Sequence, residues 1–201
     1  MKHRFTLEYE IDTPVAIAVA AYLDAEHYVF LHRKYSDTYE VLSHDPQSRK
    51  IVIRESWCLF GLRIGQICTT EYVPPAEFRN YDIRPNPWWL PSIHHVMRTS
   101  TRLVYTEIPE RNSTLSTLEV ELDMPFWLYP FRRWIQKAIE RLKIEKDEQD
   151  IDMIKRRGRL FGRENNSVYL AEHQFLLHKE DYLRHFGPNS KRLTAAETPG
   201  R

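Results

Sequence analysis

From residue 36 to residue 123 the chain reads as a succession of strand-like runs broken by short turn sequences, and then as one long helical stretch. This order constrains the fold more than any other feature. The runs fall at Ser36–Ser43, Lys50–Leu59, Leu62–Tyr72, Phe78–Arg84, Ile93–Glu107 and Thr114–Asp123, and the punctuation between them is HDPQS, FG, VPP, RPNP and PERNS. Strands joined this closely favour an antiparallel meander, because parallel pairing needs long crossovers. Ahead of them Met1–Ile11 alternates like a strand. Asp12, Thr13 and Pro14 then open an apolar helix over 15–23, and a second helical piece is predicted through His27–His32. From Pro125 to about Phe161 the pattern is helical and charge-rich, ending at Gly162-Arg163-Glu164-Asn165-Asn166. A helix arriving last must cover one face of the sheet to bury its stripe. The prediction is therefore an α+β fold, a curved antiparallel sheet and a long C-terminal helix enclosing an apolar cavity. It forms one domain over residues 1–187, with a disordered polar tail over 188–201.

Composition excludes several function classes. An apolar share of 42% and a charged share of 28% in 201 residues fit a globular domain with a real core. A net charge of +1 gives no electrostatic reason to expect nucleic acid. No window approaches the roughly 20 apolar residues of a membrane span, and the N-terminus has no signal-like apolar core, so a cytoplasmic location is expected. Cys58 and Cys68 form neither a C-x-x-C nor a C-x-H pair and read as small buried hydrophobes, so no iron–sulfur cluster is expected in this chain. There is no Gly-rich phosphate loop and no G-x-S-x-G elbow.

The stretch Asp24-Ala25-Glu26-His27-Tyr28-Val29-Phe30-Leu31-His32 contains D-x-x-H-x-x-x-x-H. Two imidazoles and one carboxylate on one face of a metal leave positions open for oxygen and substrate, the ferrous facial-triad arrangement. Asp24, three residues before His27, is placed to orient that imidazole or to link it to another site. On a straight helix, residues five apart differ by roughly 140° in direction, so His27 and His32 converge only if the helix breaks between them. In the late helix Ile144, Asp147, Ile151 and Ile154 fall on one stripe, with Asp150 at its edge. A carboxylate among isoleucines is costly to bury unless it is paired or binds a cation. Phe131, Ile135, Ala138 and Leu142 fall on a nearly opposite face, which predicts a kink or break near Lys143–Lys146. The alternatives are histidines at the surface or behind a site, and an Asp147 solvated within the charge run Glu145–Asp152.

The element order resembles the helix-grip fold of the Bet v1 and START-related (SRPBCC) superfamily across nearly the whole chain. The D-A-x-H-x-x-x-x-H run, the late Asp147-x-x-x-Ile151-Asp152, and Tyr105-Thr106-Glu107-Ile108-Pro109 before Thr114–Glu121 look like the catalytic domain of Rieske-type ring-hydroxylating oxygenase α subunits. The resemblance implies Fe(II) held by His27, His32 and Asp147, with Asp24 connecting the iron to a neighbouring subunit's cluster. The Rieske ligand pairs are lacking, and Lys146 stands where that family has a glutamate. Electrons would then come from a separate ferredoxin or Rieske-type donor.

Two functions follow. One is a mononuclear non-haem iron oxidoreductase acting on a bulky apolar or aromatic substrate; the other is a non-catalytic carrier or sensor of a hydrophobic molecule. Of His94-His95, alternation along a strand would turn one residue into the cavity. Trp88-Trp89, set among Pro85, Pro87 and Pro91, reads as a buried plug, with a cavity gate or docking surface as the alternative.

Overall fold

The computed structural model describes residues 1–24, 38–59, 62–161 and 176–187. Within these it describes all side chains but those of 57–59, 62–63, 145–147, 149 and 160–161. Seven strands, β1 (Lys2–Ile11), β2 (Thr38–Asp45), β3 (Lys50–Leu59), β4 (Leu62–Val73), β5 (Glu77–Asn86), β6 (Arg98–Ile108) and β7 (Ser113–Asp123), form one sheet in the order β1-β7-β6-β5-β4-β3-β2. Every neighbouring pair is antiparallel. The predicted meander therefore runs from β2 to β7, and β1 closes the order by pairing with β7 from Lys2↔Asp123 to Ile11↔Thr114. The β6–β7 turn is made at Pro109–Asn112, with Asn112 at φ 49°, a left-handed position that asparagine tolerates.

Helix α1 (Val15–Leu23) is buried on nearly all sides, as its sequence VAIAVAAYL requires. Full burial of Ile17, Val19 and Leu23 contributes about 1.5–3 kcal/mol each. Helix α2 (Arg132–Phe161) crosses over it. Their contact is close at Gly158, where a Cβ would lie 2.7 Å from the hydroxyl oxygen of buried Thr13. A second close approach is at Gly65, where a Cβ would lie 1.9 Å from the Glu55 carbonyl oxygen, so only glycine lets β4 sit this near β3.

Three expectations are corrected here. Helix α2 is continuous through Lys143–Lys146. It buries Ile135 and Ile139 against one apolar cluster and Ile151 and Ile154 against another, while Leu142 and Ile144 stay exposed, so the two halves bury different sides of one unbroken helix. Residues Ile93–His95 form a 3₁₀ turn capped by the Ser92 side chain, and β6 begins only at Arg98. An additional helix, α3 (Lys179–Phe186), follows Leu176–Leu177 and buries Tyr182 completely; the Tyr182 hydroxyl donates to the Ala16 carbonyl at 3.1 Å. Acidic Glu180 and Asp181 at its start and basic Arg184 and His185 at its end suit the helix dipole.

Candidate functional site

The sheet, α1, α2 and the Leu177–His178 segment enclose a cavity of about 270 Å³. Its aromatic wall combines Tyr22 of α1 with inward positions of the neighbouring strands β4, β5 and β6. Tyr22 stacks on Phe78 at 4.0 Å between centroids, Tyr72 on Phe78 at 5.2 Å, and Tyr105 meets Phe78 edge-on at 6.1 Å. Ile51, Ile53, Leu103 and Leu118 extend the apolar lining.

Two hydrogen-bonded polar groups stand in the sheet side of this wall. Asn80 donates through Nδ2 to the Tyr22 hydroxyl and to Thr101 Oγ1, both at 3.1 Å, and accepts from Thr70 Oγ1 at 2.7 Å. Gln66 Nε2 donates to Glu55 Oε2 at 3.1 Å. These bonds hold the polar heads in fixed orientations against the cavity. Burial pushes the Tyr39 and Tyr72 phenols up and the Cys68 thiol up to about 12, with Glu55 adding to the effect at Cys68 and Tyr39. Cys68 is therefore no nucleophile at neutral pH, in keeping with its reading as a small buried hydrophobe.

His178 stands at the opposite side of the wall. It is the N-cap of α3 with φ 55°, which turns its ring toward Tyr72 (5.8 Å, stacked) and His44 (5.0 Å, edge-on). Its Nε2 is buried and has no hydrogen-bond partner among the described residues. Burial, then the neighbouring His44, holds its pKa down at about 4, so the ring is neutral at physiological pH. His178 lines the cavity, and a neutral imidazole nitrogen without a protein partner can exchange a hydrogen bond with a hydroxyl or carbonyl group.

The sequence-predicted metal residues are not brought together by what is described. His27 and His32 lie outside the described residues. Asp147 belongs to α2 by its backbone, and its side chain likewise lies outside the description. The α2 groups on the cavity wall are Lys143 and Asp150, each near one turn of helix from position 147. Asp24 is buried at the end of α1, where its backbone bridges to Leu176 and its carboxylate pairs with the Arg157 guanidinium of α2. Among the described residues no three His, Cys, Asp or Glu side chains cluster as a metal site would require.

Two further expectations change. His94 and His95 do not alternate across a strand: the His95 ring lies 2.9 Å from the Leu90 carbonyl, and His94 faces a cleft on the outer side of the sheet. Trp88 and Trp89 are not a plug but lie in solvent. The polar side of the cavity was hard to foresee because β4 carries Gln66, Cys68 and Thr70 inward and Thr69 and Glu71 on its other face, so alternation does not distinguish its sides. For His178 no local signal existed; its position depends on how α3 docks.

At the level of sequence, no family model matches the chain and neither does any curated protein. Among solved structures it is similar to the Zhui aromatase/cyclase from Streptomyces sp. R1128 (TM-score 0.60, 12% identity, 81% of this chain and 99% of that one). It is also similar to Ara h 8.0201 (TM-score 0.59, 10% identity, 77% and 98%) and to a START superfamily protein from Mycobacterium smegmatis (TM-score 0.53, 12% identity, 76% and 99%). At these identities the likeness is one of fold, and it establishes that this chain has the Bet v1-like helix-grip architecture.

Proposed function

We propose that this protein binds a compact hydrophobic small molecule, aromatic and carrying a hydroxyl or carbonyl group, in the cavity between sheet and α2. The observation that carries the reading is the buried Nε2 of His178 beside a largely apolar, aromatic wall. A site of this composition holds a ligand by its rings and orients it by a few fixed polar atoms. The size supports a small ligand. About 270 Å³ lies just below the roughly 300–1,000 Å³ of common ligand pockets. It also exceeds the roughly 150 Å³ of an apolar cavity known to accept benzene. Solved structures of the same fold include an aromatase/cyclase and a START superfamily protein, which is compatible with a binding role for the cavity.

The test is a panel of hydroxylated and non-hydroxylated aromatic compounds, read by calorimetry and by thermal shift. Ser116 lines the cavity and is buried, so Ser116→Phe fills the space. Expected are saturable binding by hydroxylated members, loss of binding in Ser116→Phe, and weaker binding in His178→Asn. Absence of saturable binding across the panel, or binding indifferent to Ser116→Phe, would overturn the reading.

Iron at His27, His32 and Asp147 is a separate proposal, supported by the residue spacing and the oxygenase resemblance. Its expectation is one Fe(II) per chain under anaerobic titration, lost in His27→Ala and Asp147→Ala with the circular dichroism unchanged. Iron retained in both variants, or absent from the wild type, would remove it.

A further inference from the structure

One end of the sheet carries a group of large aromatic side chains in water. Trp88 is 79% exposed, Phe126 78% and Trp134 72%, and Trp89, Trp127 and Phe131 are each more than half exposed. They come from two connections, β5 to β6 and β7 to α2. Both leave the same edge, because Arg98 at the start of β6 pairs with Asp123 at the end of β7. Beneath them Met97, Leu122, Met124 and Ile135 form a complete buried cluster. The outer aromatics are therefore not core residues lacking a place. Trp134 projects while its neighbour Ile135 is buried, so the helix itself separates the two roles.

The electrostatics of the patch are one-sided. From Ile83 through Thr106 the sequence contains no Asp or Glu, and it contains Arg84 and Arg98 besides Arg102, which pairs with Glu77 and Glu119; from Met124 through Ile139 it again contains none, and it contains Arg132, Arg133 and Lys137. At the adjoining rim Glu121 pairs with Lys2 and Arg4 and Asp123 with the N-terminal amine, while Asp82 shares the outer cleft with Arg84 and Arg98. Arg132 lies over the Tyr129 ring at 4.6 Å, which holds a cation at the level of the aromatic tips.

We infer that this end is an interfacial docking surface for a bilayer bearing anionic lipid, with Trp88, Trp89, Phe126, Trp127 and Trp134 entering the headgroup region and Arg132 and Arg133 facing lipid phosphates. Amphipathic rings are favoured at that depth, and flanking cations add attraction to an anionic surface. Trp88, Phe126 and Trp134 keep roughly three-quarters of their area in solvent, which suits a deformable lipid surface better than a protein hot spot set in pockets. No helix among the described residues is long and apolar enough to cross a membrane, so attachment by this end is peripheral. The inference is independent of the cavity reading, since none of these aromatic residues lines the cavity.

The experiment is flotation of the full chain with phosphatidylcholine vesicles, with and without phosphatidylglycerol, while following tryptophan emission. Expected is binding to the anionic vesicles with a blue shift, weakened by 0.5 M salt. Trp88→Ser/Trp89→Ser should weaken it by about tenfold or more. Arg132→Glu/Arg133→Glu should weaken it by about twentyfold or more, at about fivefold per cation. All these side chains are at the surface or in its rim, and circular dichroism checks that the variants fold. Failure to bind either vesicle, or binding unchanged in both variants, overturns the inference. So does a wild-type dimer that the tryptophan variants make monomeric without any vesicle binding, which would assign the patch to self-association.

Discussion

His178 combines three properties at one position: a left-handed backbone, a neutral ring at the cavity wall and a buried Nε2 with no hydrogen-bond partner among the described residues. The groups around it are His44 and Arg49, which oppose its protonation, and Asp181, which favours it; burial outweighs them. A histidine whose folded pKa of about 4 lies below its ordinary 6.5 stabilises the fold in its neutral form. That contribution is complete above pH 6.5 and is lost as the pH falls from there toward 4. The neighbouring Asp181 carboxyl is itself held low by Arg49, so its contribution is lost as the pH falls through the ordinary carboxylate range and below. His94 and His185 are lowered too and act in the same direction. Denaturant midpoints are therefore expected to fall between pH 6.5 and pH 4, and to fall less in His178→Asn, since asparagine keeps the left-handed backbone without a titrating ring. Equal losses in both proteins would refute the assignment. Glu55 and Gln66 show the same division between residue and context: neither is unusual in sequence, and each acquires meaning from the cavity it faces.

At the scale of elements, α1 and α2 are held together by Asp24 and Arg157, 133 residues apart. Their side chains are 5% and 15% exposed, so both charges are largely out of water. Removing one partner leaves the other buried without its counter-charge, at a cost of about 3–5 kcal/mol. Arg157→Met is expected to lower the unfolding free energy by about 3 kcal/mol in urea titrations, and Asp24→Asn to lower it in the same direction. An unchanged midpoint in both would show that the pair contributes nothing. Spacing places Asp24 three positions before His27, and it carries no information about Arg157, which α2 brings to meet the carboxylate. The predicted break in α2 has a similar origin. Leu142 and Ile144 lie in water, and the two halves of α2 bury different sides against different clusters, so the change of apolar face needs no break in the helix.

For the whole molecule, the antiparallel order, the covering helix and the enclosed cavity were all legible before the structure. Alternation with turn residues at Asp45–Ser48, Pro74–Pro75 and Pro109–Asn112 forces consecutive pairing, and a long amphipathic helix has only the sheet on which to bury its stripe. These are local causes acting within a few residues of one another. The lining of the cavity, the Asp24–Arg157 pair, the position of His178 and the exposure of Trp88 and Trp134 were decided by the tertiary structure alone. Each depends on which distant surface arrives opposite a side chain. Hydrophobicity ranks a residue by its own transfer free energy, and that ranking predicts burial only where the fold supplies a partner. At the aromatic end the core beneath is already filled, so the tryptophans stay outside, and in the cavity polar groups sit inward because neighbouring strands satisfy their hydrogen bonds.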